Sequence, residues 1–161
     1  PREEHMKNRL AIAAVLVIAL SLVGSACSSS SDSACDSLKI ENAWVRLPPG
    51  QNTALYMDLV NDGDESISLT GADSDFAATY ELHESKMRDG QMVLEMVPGQ
   101  EIPVAAGGTT NLEPGGLHVM AIDLQETLAV GDEKTLTLTF TGDCTKEITA
   151  PVEMAEMSGE G

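Results

Sequence analysis

The chain is expected to fold as an all-β, two-layer sandwich of the immunoglobulin-like, Greek-key kind. Three observations predict it. Between residues 38 and 150 apolar and polar side chains alternate in short runs, rather than recurring every third or fourth position. Turn chemistry separates the runs: Asp62-Gly63, Asp89-Gly90, Gly107-Gly108 and Pro114-Gly115. No stretch between these turns has the length and period of a core helix.

Taken in order, Lys39–Leu47 is the first strand and carries Trp44 and Val45. Thr53–Val60 is the second, with Tyr56. Both aromatic residues are read as core anchors, since a small domain has few larger apolar side chains to bury. Asn61-Asp62-Gly63-Asp64 turns the chain into a short strand at Ser66–Leu69. Gly71–Asp75 turns it again, and residues 73–78 have room for one helical turn. Thr79–Met87 and Met92–Val97 flank Asp89-Gly90 as the arms of a hairpin. A short strand at 109–113 lies between two glycine pairs and leads to Leu117–Leu124. Leu136–Phe140 alternates Leu and Thr, and Lys146–Ala150 closes the sheet. Residues 151–161 read as a flexible acidic tail.

The segment before the domain reads as export machinery. Residues 10–23 are apolar apart from Ser21, and Lys7 and Arg9 precede them. That is the layout of a secretory signal over residues 1–26, with Met6 as the start and residues 1–5 as overhang. An uncleaved anchor is the alternative, although a spanning helix needs about 20 apolar residues. Small residues at 24–26 precede Cys27, as at a lipoprotein processing site, although Gly24 stands where Leu is usual. Lipidation of Cys27 would also account for what is otherwise a free thiol in an exported protein. Residues 27–37, with their serine run, are expected to be a polar tether. Cys35 and Cys144 then remain as one pair, which in an oxidising compartment invites a disulfide. A cysteine-based metal site is the other option, but no His or further Cys lies near either residue in sequence.

The formal charge of −17 excludes a nucleic-acid-binding role, because no basic patch could meet the phosphates. It suits a well-solvated surface, or the steering of a cationic cargo or basic partner. Enzyme signatures are missing as well. There is no Gly-x-Ser-x-Gly, no His-Glu-x-x-His and no phosphate-cradling glycine loop, so no catalytic residues are assigned.

The chemistry concentrates in four residues. A two-residue Asp89-Gly90 turn sets the hairpin register by counting: Arg88 opposite Gln91, Met87 opposite Met92, Ser85 opposite Leu94, His83 opposite Met96. Opposed residues share a face, so His83 and Met96 stand side by side. Period-two geometry puts His118 and Met120 on one face of the next strand, just after Gly115-Gly116. Two imidazoles and two thioethers are soft, neutral donors that suit Cu(I) over Zn(II), Ca(II) or Mg(II). Met87 and Met92 form the next pair toward the turn, either as accessory thioethers or as padding against a partner. A blue-copper electron carrier would need a Cys thiolate beside two His, and neither Cys35 nor Cys144 has a His nearby in sequence.

At these residues the chain resembles the periplasmic copper chaperone family PCuAC. The family signature is His, ten residues, Met, twenty-one residues, His, one residue, Met. Met96, His118 and Met120 keep the last two spacings. Asn42-Ala43-Trp44-Val45-Arg46, Leu82-His83-Glu84, Ala106-Gly107-Gly108 and Pro114-Gly115-Gly116-Leu117-His118 match around them. His83 and Met96 are separated by twelve residues rather than ten. One extra residue on each hairpin arm preserves side-chain parity; a bulge near Met92 is the alternative. The resemblance covers about 38–150. It implies a cupredoxin-like fold and one Cu(I) held by His83, Met96, His118 and Met120. It further implies handover by ligand exchange to a copper-accepting protein, a cytochrome c oxidase subunit or assembly factor. The expected protein is a monomer, lipid-anchored through Cys27 outside the cytoplasm, or periplasmic or secreted without the lipid. A non-catalytic lipoprotein sandwich for adhesion or assembly, with an incidental Met/His cluster, is the competing reading.

Overall fold

The computed structural model describes residues 30–155. The signal segment, Cys27 and residues 156–161 of the tail lie outside the described residues. One helix, α1 (Ser30–Ser37), precedes ten strands: β1 (Leu38–Arg46), β2 (Thr53–Asn61), β3 (Ile67–Asp73), β4 (Ala77–Arg88), β5 (Gln91–Met96), β6 (Ile102–Val104), β7 (Thr109–Leu112), β8 (Leu117–Leu124), β9 (Glu133–Phe140) and β10 (Cys144–Glu153). The all-β sandwich expected from alternation is the fold observed.

Two sheets share the core. One runs β5-β4-β8-β7-β2-β1, with β8 also pairing directly to β2; the other runs β10-β9-β3-β6. A parallel pairing of β1 with β10, Val45 to Val152 and Arg46 to Glu153, joins them along one side. Alternation decides what enters the core. On β9, Leu136, Leu138 and Phe140 are buried while Thr135 and Thr139 face solvent. On the facing sheet Leu55, Leu59, Leu82, Val119 and Ala121 point inward. On β1, Asn42 takes a positive φ of 51°. The register slips there, with three steps from Glu41 to Trp44 against two from Asp58 to Tyr56. This bulge resets the strand's phase so that both Leu38 and Val45 are buried.

Cys35 on α1 is bonded to Cys144 at the start of β10, across a sequence separation of 109. The disulfide therefore fastens the chain ahead of the first strand to the last strand, where Ala34 also packs into the core.

Several local expectations differ. The polar segment 27–37 is helical over Ser30–Ser37, because the disulfide and Ala34 tie it to β10. Residues 73–78 form no helical turn: β3 ends at Asp73, β4 begins at Ala77, and Phe76 between them plugs the core. The closing strand runs past 150 to Glu153, held there by β1. Ile102-Pro103-Val104 is a short strand at the outer edge of its sheet, beside β3, the kind of position that tolerates proline.

Candidate metal centre

The hairpin of β4 and β5 turns at Asp89 and Gly90, whose φ values of 51° and 78° are the two left-handed positions of a type I′ turn. Register follows without interruption: Arg88–Gln91, Met87–Met92, Lys86–Val93, Ser85–Leu94, Glu84–Glu95 and His83–Met96. No bulge occurs near Met92, so the two extra hairpin residues add one to each arm. On its other side β4 pairs with β8, and there His83 lies opposite His118. Met96, His83 and His118 thus form one row across three adjacent strands, on the face turned away from the core. Met120, two residues further along β8, shares that face between Glu81 of β4 and Ala54 of β2.

Each imidazole is oriented by a group two residues earlier on its own chain. The Nδ1–H of His118 donates to the Gly116 carbonyl at 3.0 Å, which leaves Nε2 as the free lone pair. Gly116 is held by the Glu113–Gly116 turn, where Gly115 has φ +86° and Pro114 precedes it, a type II arrangement. The same carbonyl accepts the backbone N–H of Ser85 at 2.9 Å, binding this turn to β4. His83 donates Nε2–H to the Glu81 carboxylate at 2.8 Å. Its Nδ1 is buried with no hydrogen-bond partner. An unpaired buried acceptor is costly unless something binds it.

The two rings lie with centroids 6.0 Å apart and planes 53° from parallel. A metal–imidazole bond of about 2 Å puts a ring centroid roughly 3 Å from the ion, so rings at this spacing can flank one ion. His118 is 4% exposed and Met96 55% exposed, so the donors run from a sheltered nitrogen to an open sulfur. Burial pushes the His118 pKa below its usual value; the Gly116 carbonyl opposes this and His83 adds to it. A neutral imidazole is the form that ligates a metal. Among the described residues no three His, Cys, Asp or Glu side chains gather to hold a metal. A site on this face therefore needs the thioethers, which favours a soft ion.

An open cleft of about 460 Å³ leads to the row, lined by Tyr56, Ser85, Met92, Leu94, His118 and Met120. Of the two aromatic residues read from sequence as core anchors, Tyr56 is buried and Trp44 is only partly buried. Both lie outside the main core cluster; Tyr56 packs 4.7 Å from Trp44 and 6.1 Å from His118, centroid to centroid. They form an aromatic wall behind the histidine. Sequence reasoning passed over Glu81 and the Gly116 carbonyl. The signal available was the spacing itself, since each stands two residues before a histidine.

Residues 38–152 match the family described as "Putative lipoprotein LpqE-like". The chain is 33% identical over 119 residues to "Putative lipoprotein Lxx21020" of Leifsonia xyli subsp. xyli, covering 73% of this chain and 70% of that protein. It is 28% identical over 103 residues to "Uncharacterized protein RP573" of Rickettsia prowazekii, covering 63% of this chain and 55% of that protein. Among solved structures, the copper-bound PCuAC domain from PmoF2 superposes with a TM-score of 0.62 at 27% identity, over 74% of this chain and 94% of that one. The CuI-DR1885 solution structure from Deinococcus radiodurans superposes with a TM-score of 0.59 at 30% identity, over 79% and 87%. No helix among the described residues is long and apolar enough to cross a membrane. The sandwich has the PCuAC-domain fold, and the chain belongs to the LpqE-like family of lipoproteins.

Proposed function

We propose that this protein is an extracytoplasmic Cu(I) chaperone, with His83, Met96, His118 and Met120 as the cargo ligands. The observation that carries the reading is the row Met96–His83–His118 with Met120 beside it, in which each imidazole keeps one ring nitrogen free of hydrogen bonds to the protein. The similar structures named for bound copper support the choice of metal.

The chemistry follows from donor type. Thioethers and neutral imidazoles hold a soft monovalent ion without releasing a proton or adding charge. No thiolate is involved, so the ion remains exchangeable. Met96, the most exposed donor, is the first to yield to an incoming ligand, and His118, the most buried, is the last. The acceptor replaces donors one at a time, and the protein acts as carrier rather than catalyst. Delivery toward cytochrome c oxidase assembly and anchoring through lipid on Cys27 complete the proposal.

Anaerobic Cu(I) titration against a competing chelator tests it. Wild type is expected to take up one tightly held copper, and His118→Ala and Met120→Leu to lose that tight binding. Unchanged affinity in both variants would refute the ligand assignment. No stoichiometric Cu(I) in wild type would favour the adhesion or assembly reading.

A further inference from the structure

The hairpin that supplies His83 and Met96 has two unlike faces. On one, Lys86 pairs with Glu84 at 2.7 Å and Arg88 with Glu95 at 2.9 Å, an ordinary solvated charge pattern. The other, which continues the Met96–His83–His118 row, carries Met87, Met92 and Leu94. Nothing in the fold covers them: Met87 is 63% and Met92 58% exposed. Four of the six large apolar side chains exposed among the described residues stand on this face, and three of the four are methionine.

Strand positions that face water usually carry Thr or charged residues, and bare packing would be served by Val or Ile. Sulfur is the property that methionine adds. Placement sharpens the point. The two-residue turn makes Arg88–Gln91 the hydrogen-bonded pair, so Met87–Met92 is the non-hydrogen-bonded pair next to it. In such pairs the Cα atoms approach to about 4.5 Å and the side chains lie closest. Two flexible thioethers therefore stand side by side at the hairpin tip. Met92 also lines the cleft that contains His118 and Met120.

We propose that Met87 and Met92 form a second, labile Cu(I) site, through which cargo enters and leaves the His/Met centre. This rests on the chaperone reading above and extends it. Two thioethers select a soft monovalent ion but hold it more loosely than four mixed donors. The transfer moves Cu(I) from one neutral sulfur pair to a neutral nitrogen and sulfur set along one cleft. No electron moves, and no proton is taken up or released.

The test uses the full domain with methionine methyl groups labelled for NMR, titrated anaerobically with Cu(I), alongside Met87→Leu/Met92→Leu. Leucine keeps the apolar surface and removes the sulfur, which separates metal binding from simple docking. Wild type is expected to bind a second, weaker equivalent that shifts the Met87 and Met92 methyl signals. The double variant is expected to lose that equivalent, keep the tight one, and load more slowly. His118→Ala/Met120→Leu is expected to keep the tip-pair shifts while losing the tight site. A wild type that binds one copper with no tip-pair shift overturns this site and leaves the chaperone reading standing. A second equivalent that survives in the double variant overturns it equally. Loss of all Cu(I) binding by wild type would instead overturn the chaperone reading itself.

Discussion

The disulfide offers the most quantifiable perturbation. Cys35 and Cys144 close a loop with a sequence separation of 109, nearly the whole domain. In the chain-entropy treatment a loop of that size restricts the unfolded chain enough to stabilise the fold by about 4–5 kcal/mol. On the native side β10 keeps its full ladder with β9, so native losses are confined to the α1 segment that the bond ties down and to the buried Cys144 side chain, and these add to that figure. With a urea dependence of about 1.5 kcal/mol per molar, Cys35→Ala/Cys144→Ala should lower the unfolding midpoint by about 3 M. The four proposed copper ligands lie on β4, β5 and β8, in the other sheet from the Cys144 end of the link. Cu(I) affinity of the still-folded variant should therefore match wild type. Urea unfolding followed by circular dichroism, paired with anaerobic Cu(I) titration in native buffer, checks both halves. A midpoint shift below about 0.7 M, corresponding to roughly 1 kcal/mol, would refute the loop argument. Lost copper affinity in a folded variant would refute the independence of site and staple.

Three further outcomes follow from the geometry of the row. One glycine inserted after Gly90 should slip β5 by one residue, turn Met96 to the charged face and weaken Cu(I) binding; two inserted residues should restore it, as measured by chelator competition. Glu81→Gln keeps the side-chain shape but replaces a carboxylate acceptor with an amide, and should weaken Cu(I) by about 10–100-fold, as partners that orient a ligand commonly do. The depressed pKa of His118 sets a direction for acid sensitivity. The unfolded chain takes up this proton first as pH falls below 6.5, so the stability from the neutral buried ring is present above that value and is lost as pH falls through the lower folded pKa. Thermal unfolding of the metal-free domain should show this decline, and His118→Gln should flatten it.

How much of this was legible in the sequence depended on how local each determinant was. The hairpin register could be counted because Asp89-Gly90 admits one tight turn and every pair then follows. The pairing of His83 with His118 could not be counted. It joins strands with β5, β6 and β7 between them in sequence, and no turn sets its alignment. Parity alone placed His118 and Met120 on one face, and β4 supplied the rest. The helix at Ser30–Ser37 was illegible for a similar reason. A serine-rich segment has little intrinsic helical preference, and this one is held by a bond to a residue 109 positions away. The aromatic residues misled in a different way. Size argued for burial of Trp44 and Tyr56: Tyr56 is buried, but on the side of β2 that faces His118 rather than in the main core cluster, and Trp44, packed on it, stays partly exposed.

The charge balance of the proposed site turns on one nearby carboxylate rather than on the acidic surface at large. In the proposed site, four neutral ligands around Cu(I) would leave a net positive charge in a pocket where His118 is buried, and an uncompensated buried charge is unfavourable. Bulk negative charge on the protein helps little, since exposed charges are screened beyond about 8 Å at physiological ionic strength. Glu81 is close enough to act. It bonds His83 directly and its side chain is 30% exposed, sheltered enough to be screened less than the surface carboxylates. Hydrogen-bonded to one nitrogen of His83, it would make that ring a better donor to copper on the other nitrogen and supply the opposite charge without itself ligating the ion. A carboxylate in direct contact would harden the site toward divalent ions. Held one ring away, Glu81 would compensate the charge of Cu(I) and orient His83, while the choice of a monovalent cargo stays with the sulfurs.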